Sequence, residues 1–496
     1  MRLSLPTEPL MTRATWLQRM GFGFDPFEYE AADEVLSGDP YLERYFVPFH
    51  YFEELKEPRT SFLFTPRGCG KSANRIQLEQ WCAETLQRPD QRPNILVVLH
   101  DDFLRVLADI SLESHCQAIL HQAVPALLDA LFRYFPDAIA HLPPREYEDL
   151  RWFVQHYADR LVPSGLRGEL RELGTLPHLA TPEEQSETTK RVADVVASLV
   201  KGPSVEPLPK AVETMARLFT YEPKETSTTG EISSSERLTH FVAIARAAGI
   251  EHIFVLIDRV DEFEWTANHP ERQAELLYPL IATASLLSTL CFKFFLPSEL
   301  LPTLRSRLGP DGFREDRLNI INVEWQDAGI AQVLFNRLYV ASDGRYSHFT
   351  ELVNFESAPW DVDARLIRFA HGSPRDLVRI CKRIVNEHTR LQTDQLYIPD
   401  IEIDDALRWF SRARVFELYG SEWLAKLLQL RRTPFTLDVA ADALKLSEVE
   451  LEALLKVWRG KGLVKHLPRD PAHPEAALLF HIADPRALLM WEEEHL

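Results

Sequence analysis

Apolar and polar positions run along this chain in blocks of distinct period. Ser61–Phe64 is a short apolar run. A turn follows, then an amphipathic stretch from Ser72 to Leu86, which predicts strand, loop and helix. Asn94–Leu99 predicts a second buried strand, ending at His100, Asp101 and Asp102. Similar runs return at His252–Ile257, Cys291–Leu296 and Leu318–Val323, with the helical stretches LTHFVAIARAAG and ERQAELLYPLIATASLLSTL among them. Short β-branched and aromatic runs alternating with helices predict an α/β fold with a parallel sheet.

The rest of the chain has a different texture. Residues 111–235 carry helical segments such as CQAILHQAVPALLDALFRYF and TKRVADVVASLV, broken by proline-bearing stretches such as GPSVEPLP. They predict a helical insertion, closed by a polar loop at TSTTGEISSSE, residues 226–236. From Gln326 to about Ala413 the pattern is all helical, and the last 80 or so residues form a separate small unit. The expected division is an aromatic-rich cap over 1–60, an α/β core over 61–325 with the insertion, a helical lid over 326–415 and a terminal unit over 416–496. No internal repeat of solenoid or propeller period is visible.

Composition narrows the class. The chain has 496 residues, 45% hydrophobic and 26% charged, which excludes a largely disordered or collagen-like polymer. Asp and Glu outnumber Lys and Arg by 74 to 55, a net charge of −19, which opposes coating nucleic acid with the whole surface. The five cysteines, Cys69, Cys82, Cys116, Cys291 and Cys381, are scattered without a CxxC pair and point to a reducing compartment. The N-terminal stretch lacks the apolar core of a signal peptide. The longest uncharged run, Leu276–Phe292, reads as a buried helix and strand, so a cytoplasmic protein without a membrane span is expected.

The strongest chemical signal is Thr65-Pro66-Arg67-Gly68-Cys69-Gly70-Lys71-Ser72, between a predicted strand and a predicted helix. Gly68 and Gly70 let the backbone turn its N–H groups around phosphate oxygens, and the helix N-terminus adds partial positive charge. Lys71 is placed to reach the β- and γ-phosphates, and Ser72 to give a hydroxyl to Mg²⁺. Ala73 continues the first helical turn. The motif departs from its pattern at Thr65, where a glycine is usual, and Pro66 would impose the turn there. Chance supplies only about 0.02 such cores in a chain this long. ATP with Mg²⁺ is the expected ligand.

A second acidic motif follows the His252–Ile257 run. Asp258 should stand at the carboxyl end of that strand, where open α/β sheets bind ligands, and is the expected second metal-positioning acid. Arg259 follows, and Asp261 or Glu262 is the candidate base for activating water.

The phosphate loop with Asp258-x-x-Asp261-Glu262 resembles the AAA+-related STAND class of signalling ATPases, in particular its NACHT-like pattern. It also resembles the initiator, or origin-recognition, branch of AAA+ proteins. The resemblance implies further roles. His371-Gly372-Ser373-Pro374-Arg375 is similar to the Gly-x-Pro of STAND lids, with Pro374 against the base. It is equally similar to the sensor-2 arginine of initiators, with Arg375 on the γ-phosphate. As a helix start, Ser373 would be the cap and Pro374 the first residue. Ser298, after the Cys291–Leu296 strand, stands where such proteins carry sensor 1. Arg314 or Arg317 lies where an intersubunit arginine finger is found, and Tyr45-Phe46-Val47 is a candidate adenine platform or plain core.

Residues 416–496 read as a winged helix, with helices SEWLAKLLQL, LDVAADALK and SEVELEALLKVWRGKG, strands at Leu463–His466 and Ala477–Ile482, and RDPAHPE as the wing. The first turns of its third helix carry Glu448, Glu450 and Glu452, and the unit has 10 Lys/Arg against 13 Asp/Glu. That charge favours protein contacts over DNA. The expected whole is a slow ATPase, a P-loop switch of STAND/AAA+ type. Its nucleotide would sit between core and lid and its state would be read by protein partners, effector or sensor, supplied in trans. Nucleotide-dependent self-assembly and a place in bacterial defence or signalling belong to the same expectation. An ATP-dependent DNA-binding initiator or loader is the alternative.

Overall fold

The computed structural model describes residues 12–32, 40–49, 51–88, 93–135, 137–158, 218, 232–312, 318–356, 359–390, 395–467 and 478–495. Its contacts divide the chain into two compact units. One holds Pro48–Arg67 and Lys71–Val323; the other holds Met1–Val47, Gly68–Gly70 and Glu324–Leu496.

The first unit is built on a five-stranded parallel sheet. Its strands are β1 (Ser61–Thr65), β2 (Ile95–His100), β3 (His252–Ile257), β4 (Cys291–Pro297) and β5 (Asn319–Asn322), in the order β2-β3-β4-β1-β5. Ser61 pairs with Lys293 on one side and with Asn319 on the other, and His100 pairs with Ile257. Every residue of β1 is buried, as are β3 and β4 after their first residues. Such continuous apolar strands fit a parallel sheet covered on both faces, where polar positions would have no water to meet. The Phe62 ring stacks on Phe294 of the next strand at 4.4 Å. Lys293, fully buried in β4, donates from Nζ to the carbonyls of Glu57 and Arg59 at 2.7 Å each, tying down the approach to β1.

Three expectations change here. The Leu112–Tyr134 helix packs on β2, and its Leu120, Val124 and Leu131 belong to the same core as Phe62, Val98 and Phe294. The start of the expected insertion is therefore a covering layer of the sheet. It buries one apolar face against the strands, as an amphipathic helix must. The end of the expected loop at 226–236 is the start of a helix, Ser234–Ala247, where Ser233 and Glu236 form a reciprocal capping box. Ser233 and Glu236, which look like part of a loop in sequence, are there to satisfy N–H groups at the helix start. The helix predicted over 271–290 is two, Pro270–Ile281 and Ala284–Thr289, with the Thr283 hydroxyl donating to the Pro279 carbonyl between them. The TKRVADVVASLV and GPSVEPLP segments lie outside the described residues.

In the second unit the Arg13–Met20 helix gives Trp16, Leu17 and Met20 to a core shared with Ile330, Leu334, Leu366 and Ile384. The segment expected to be all helical also holds a short parallel pair, β6 (Val353–Asn354) and β7 (Ile398–Pro399). Residues 1–47 thus belong with the lid residues and 48–60 with the sheet, so the expected 1–60 cap is split. The Asp400–Leu428 helix breaks at Gly420 (φ 76°, ψ 164°), a conformation glycine adopts without a Cβ clash. Along this helix Leu407 and Phe410 belong to the lid core, while Val415 and Tyr419, before the break, already join a terminal core with Leu424, Leu427, Trp458 and Phe480. That terminal core is enclosed by helices Leu437–Leu444 and Glu448–Gly460, then by the antiparallel β8 (Val464–His466) and β9 (Phe480–Ile482). Ser447 and Glu450, in a Ser-x-x-Glu spacing, form a capping box at the start of the Glu448–Gly460 helix. A last helix, Pro485–His495, is one the sequence pattern did not predict, and RDPAHPE lies outside the described residues. Among the described residues no helix is long and apolar enough to cross a membrane.

Candidate functional site

Because β1–β4 run parallel, their carboxyl ends share one edge of the sheet, and the loops after them converge there. β1 delivers the phosphate loop, β2 delivers Asp101, β3 delivers Asp258 and the turn through Glu262, and β4 delivers Ser298.

The loop after β1 turns at its two glycines. Gly68 and Gly70 have φ of 81° and 95°, a region L-residues rarely enter. Thr65, at the usual glycine position, is the buried end of β1, and its carbonyl accepts from the Ser298 amide at 3.1 Å. Pro66 is exposed, and Lys71 begins the Lys71–Gln87 helix, with Ser72 and Ala73 half-buried in its first turn.

Lys71 is held by Asp261. Its Nζ lies 2.7 Å from Asp261 Oδ1. Arg67 donates from Nε to Asp261 Oδ2 at 3.1 Å and from Nη2 to the Asp261 carbonyl at 3.1 Å. Burial alone would raise the Asp261 carboxyl, but Lys71 and Arg67 hold it below its ordinary value. Of the two candidate bases, Asp261 is thus engaged by cations. Glu262 has 59% of its side chain exposed, with Arg259 Nε at 3.6 Å.

Asp258 is in a different setting from the one expected. It is buried, its Oδ2 accepts from Arg75 Nε at 2.8 Å, and its Oδ1 accepts from the Arg259 amide at 2.8 Å. Arg75 also reaches Glu79 Oε2 at 2.8 Å, and Arg259 lies 3.8 Å from Asp101. Burial raises the carboxyls of Glu79 and Asp101 above their ordinary values. Among the described residues, no group of three acids, histidines or cysteines is arranged to hold a metal ion. The expected Mg²⁺ role does not fit Asp258 as it stands, because both of its oxygens are engaged and one faces a permanent cation.

Within the second unit, the Arg375 amide donates to the Gly68 carbonyl at 3.2 Å, and Cys69 Sγ donates to the Gly372 carbonyl at 3.3 Å. Trp325 Nε1 donates to the Cys69 carbonyl at 3.0 Å. Ser373 and Pro374 start the Pro374–Arg390 helix, with the Ser373 hydroxyl accepting from the Asp376 amide. A Cβ on Gly68 would stand 3.1 Å from the Arg375 Cβ and from Ser373 Oγ. Tyr45 is buried, with the Arg337 guanidinium 4.4 Å from its ring centre, so one expected adenine face is covered. Arg314 and Arg317 lie outside the described residues.

The sequence pattern does not single out Arg75, Glu79 and Asp101 as members of this cluster. One signal was present: Arg75 and Glu79 are four apart on the predicted helix, the spacing of a facing ion pair. Their meeting with Asp258 depends on strand order. β4 lies between β3 and β1, so the acid-bearing strand is not the loop strand's neighbour.

No family model and no curated protein matches this chain. Among solved structures it is similar to the Aeropyrum pernix ORC2 protein in ADPNP–ADP complexes, at 10% identity over 92% of this chain and 98% of that one, with a TM-score of 0.41. It is also similar to the Aeropyrum pernix ORC1 protein in complex with DNA, at 11% identity over 92% and 94%, TM-score 0.34. The Thermotoga maritima RuvB Holliday junction branch migration motor matches at 15% identity over 64% and 95%, TM-score 0.22.

Proposed function

We propose that this chain is a nucleotide-dependent P-loop ATPase of AAA+ type, binding ATP at Pro66–Ala73 and hydrolysing it slowly. The observation that carries this reading is the Lys71–Asp261 pair, 2.7 Å apart at the carboxyl edge of a parallel sheet, beside a loop with two left-handed glycines. The lysine is pre-positioned by a partner that phosphate oxygens can replace, while Arg67 keeps Asp261 compensated when Lys71 leaves it. Glu262, exposed on the same turn, is the candidate for orienting water. Arg375, whose amide meets the Gly68 carbonyl, and Ser298, whose amide meets the base of the loop, are the candidate phosphate sensors. Titration with a fluorescent ATP analogue tests the reading. Wild type should bind, Lys71→Ala should bind about 100-fold more weakly, and equal affinity in the two would refute it.

The STAND and initiator branches share these residues, and one surface favours the initiator. Lys456, Arg459, Lys465 and His466 line a concavity of about 600 Å³ between the end of the Glu448–Gly460 helix and β8. The acidic first turn of that helix is its other end, so the net charge of the terminal unit conceals a local basic face. Phosphate-backbone binding by this face would weaken steeply with salt. A gel shift at moderate salt, lost in Lys456→Glu/Lys465→Glu, supports the initiator reading. Equal binding by that variant removes it and leaves protein partners as the readers of nucleotide state.

A further inference from the structure

We propose that Arg75 is the resident counter-cation of Asp258, and that while Arg75 is in place Asp258 contributes nothing to binding a divalent metal. The proposal rests on geometry in the sheet-bearing unit. Arg75 is the fourth position after Lys71 on the helix that leaves the phosphate loop, so one helical turn carries its side chain back under the loop toward β3. There Nε meets Asp258 Oδ2 and Nη1 meets Glu79, while Asp101 adds its field from the end of β2. Burial works against the guanidinium charge, yet the three acids hold its pKa above its ordinary value. The carboxylate is buried and its second oxygen is taken by the Arg259 amide. Arg259 itself has φ of 60°, a left-handed conformation unusual for a non-glycine residue. The turn is therefore shaped to bring that amide onto Asp258.

A divalent ion of magnesium size demands near-octahedral oxygen ligands at about 2.1 Å and gives up its waters reluctantly. To use Asp258, directly or through water, it would have to expel a buried guanidinium or share one small volume with it. Like charges at such range in a poorly hydrated site oppose each other strongly. The acid expected from sequence to position metal is here the partner of an arginine, and its duty is to hold the loop helix against β3. This reading extends the proposed nucleotide site, and its test is arranged to stand without it.

The first measurement uses the metal alone on the full chain. Thermal unfolding is followed with Mg²⁺ or with EDTA, in wild type, Asp258→Asn, Arg75→Met and Arg75→Met/Asp258→Asn. Wild type and Asp258→Asn should respond identically to Mg²⁺. Arg75→Met should gain a Mg²⁺-dependent rise in Tm, as the freed carboxylates accept the ion, and the double variant should lose that gain. A wild-type Mg²⁺ response abolished by Asp258→Asn would overturn the proposal, as would an Arg75→Met protein that folds yet responds no more than wild type. If Arg75→Met does not fold, wild type against Asp258→Asn decides the matter alone. The second measurement repeats the series as nucleotide affinity with and without Mg²⁺. The ratio of the two affinities should be the same in wild type and Asp258→Asn, and at least tenfold larger in Arg75→Met. Absence of nucleotide binding in every condition would sink the ATPase reading while leaving the metal-alone result to judge this one.

Discussion

Arg486 Nη1 lies 2.8 Å from Asp376 Oδ2, joining the last helix of the chain to the first turn of the Pro374–Arg390 helix. The pair is buried and belongs to a network. Arg414 Nε reaches the same Asp376 oxygen at 2.9 Å, Arg486 also pairs with Asp484 at 2.8 Å, and the Tyr419 hydroxyl donates to Asp484 at 2.8 Å. Asp376 directly follows Arg375, whose amide meets Gly68. Within this unit the residue beside the candidate sensor is thus wired to the terminal helices.

Breaking that network should be expensive. Arg486→Met leaves Asp484 and Asp376 buried with fewer cationic partners, and a cost of about 3–5 kcal/mol is expected. Tyr419→Phe removes one hydrogen bond to a charged acceptor and should cost about 1.5–3 kcal/mol. Urea unfolding of the two variants against wild type checks both size and order.

Gly68→Ala should disable the loop without touching its lysine. The alanine Cβ meets Arg375 Cβ and Ser373 Oγ at 3.1 Å, and the left-handed φ of 81° is strained for any L side chain. The conformational cost is about 1–2 kcal/mol before any steric term. Calorimetry should show a lowered Tm, and nucleotide titration a weakened affinity with Lys71 intact.

Asp261 and Glu262 should separate by experiment. Asp261→Asn frees Lys71 from its carboxylate partner, so nucleotide affinity should rise severalfold. Glu262→Gln should leave affinity unchanged and abolish turnover. Parallel measurement of binding and phosphate release distinguishes them, and the reversed pattern would move the base to Asp261.

Acid should weaken the sheet-bearing unit through a histidine pair. His100 Nε2 and His115 Nδ1 lie 3.0 Å apart, buried beside β2, and His115 Nε2 lies 2.8 Å from the Leu276 carbonyl. Burial pushes His100 down to about 3 and His115 down to about 4. The unfolded chain takes up these protons near pH 6.5 and the folded chain does not. Stability therefore falls as pH drops below about 6.5, by up to about 2.7 kcal/mol per pH unit with both sites contributing, and levels off below the folded values. His100→Gln keeps a donor toward His115 and removes one site, so the slope of stability against pH should fall by about half. Denaturant unfolding from pH 7 to pH 4.5 measures it.

The phosphate loop, the buried strands and the capping box at Ser447 were legible because each depends on neighbours in sequence: a short motif, a run of apolar residues, a side chain reaching three positions on. Where local signals conflicted with packing, the pattern misled. The Leu112–Tyr134 helix looks like part of an insertion until its apolar face is seen on β2, and Ser233–Glu236 looks like a loop although it caps a helix.

What the sequence determined by itself is a phosphate-loop motif followed by an acidic turn at the end of a buried strand, and an acidic surplus of 74 to 55. What only the tertiary structure decided is which charge answers which. Strand order brings Arg75 onto Asp258, and the turn after β3 brings Asp261 onto Lys71. Folding likewise gathers Lys456, Arg459, Lys465 and His466 into a basic face on an otherwise acidic unit. Electrostatic energy depends on distance in space, and positions 183 or 190 residues apart become neighbours only when the sheet forms.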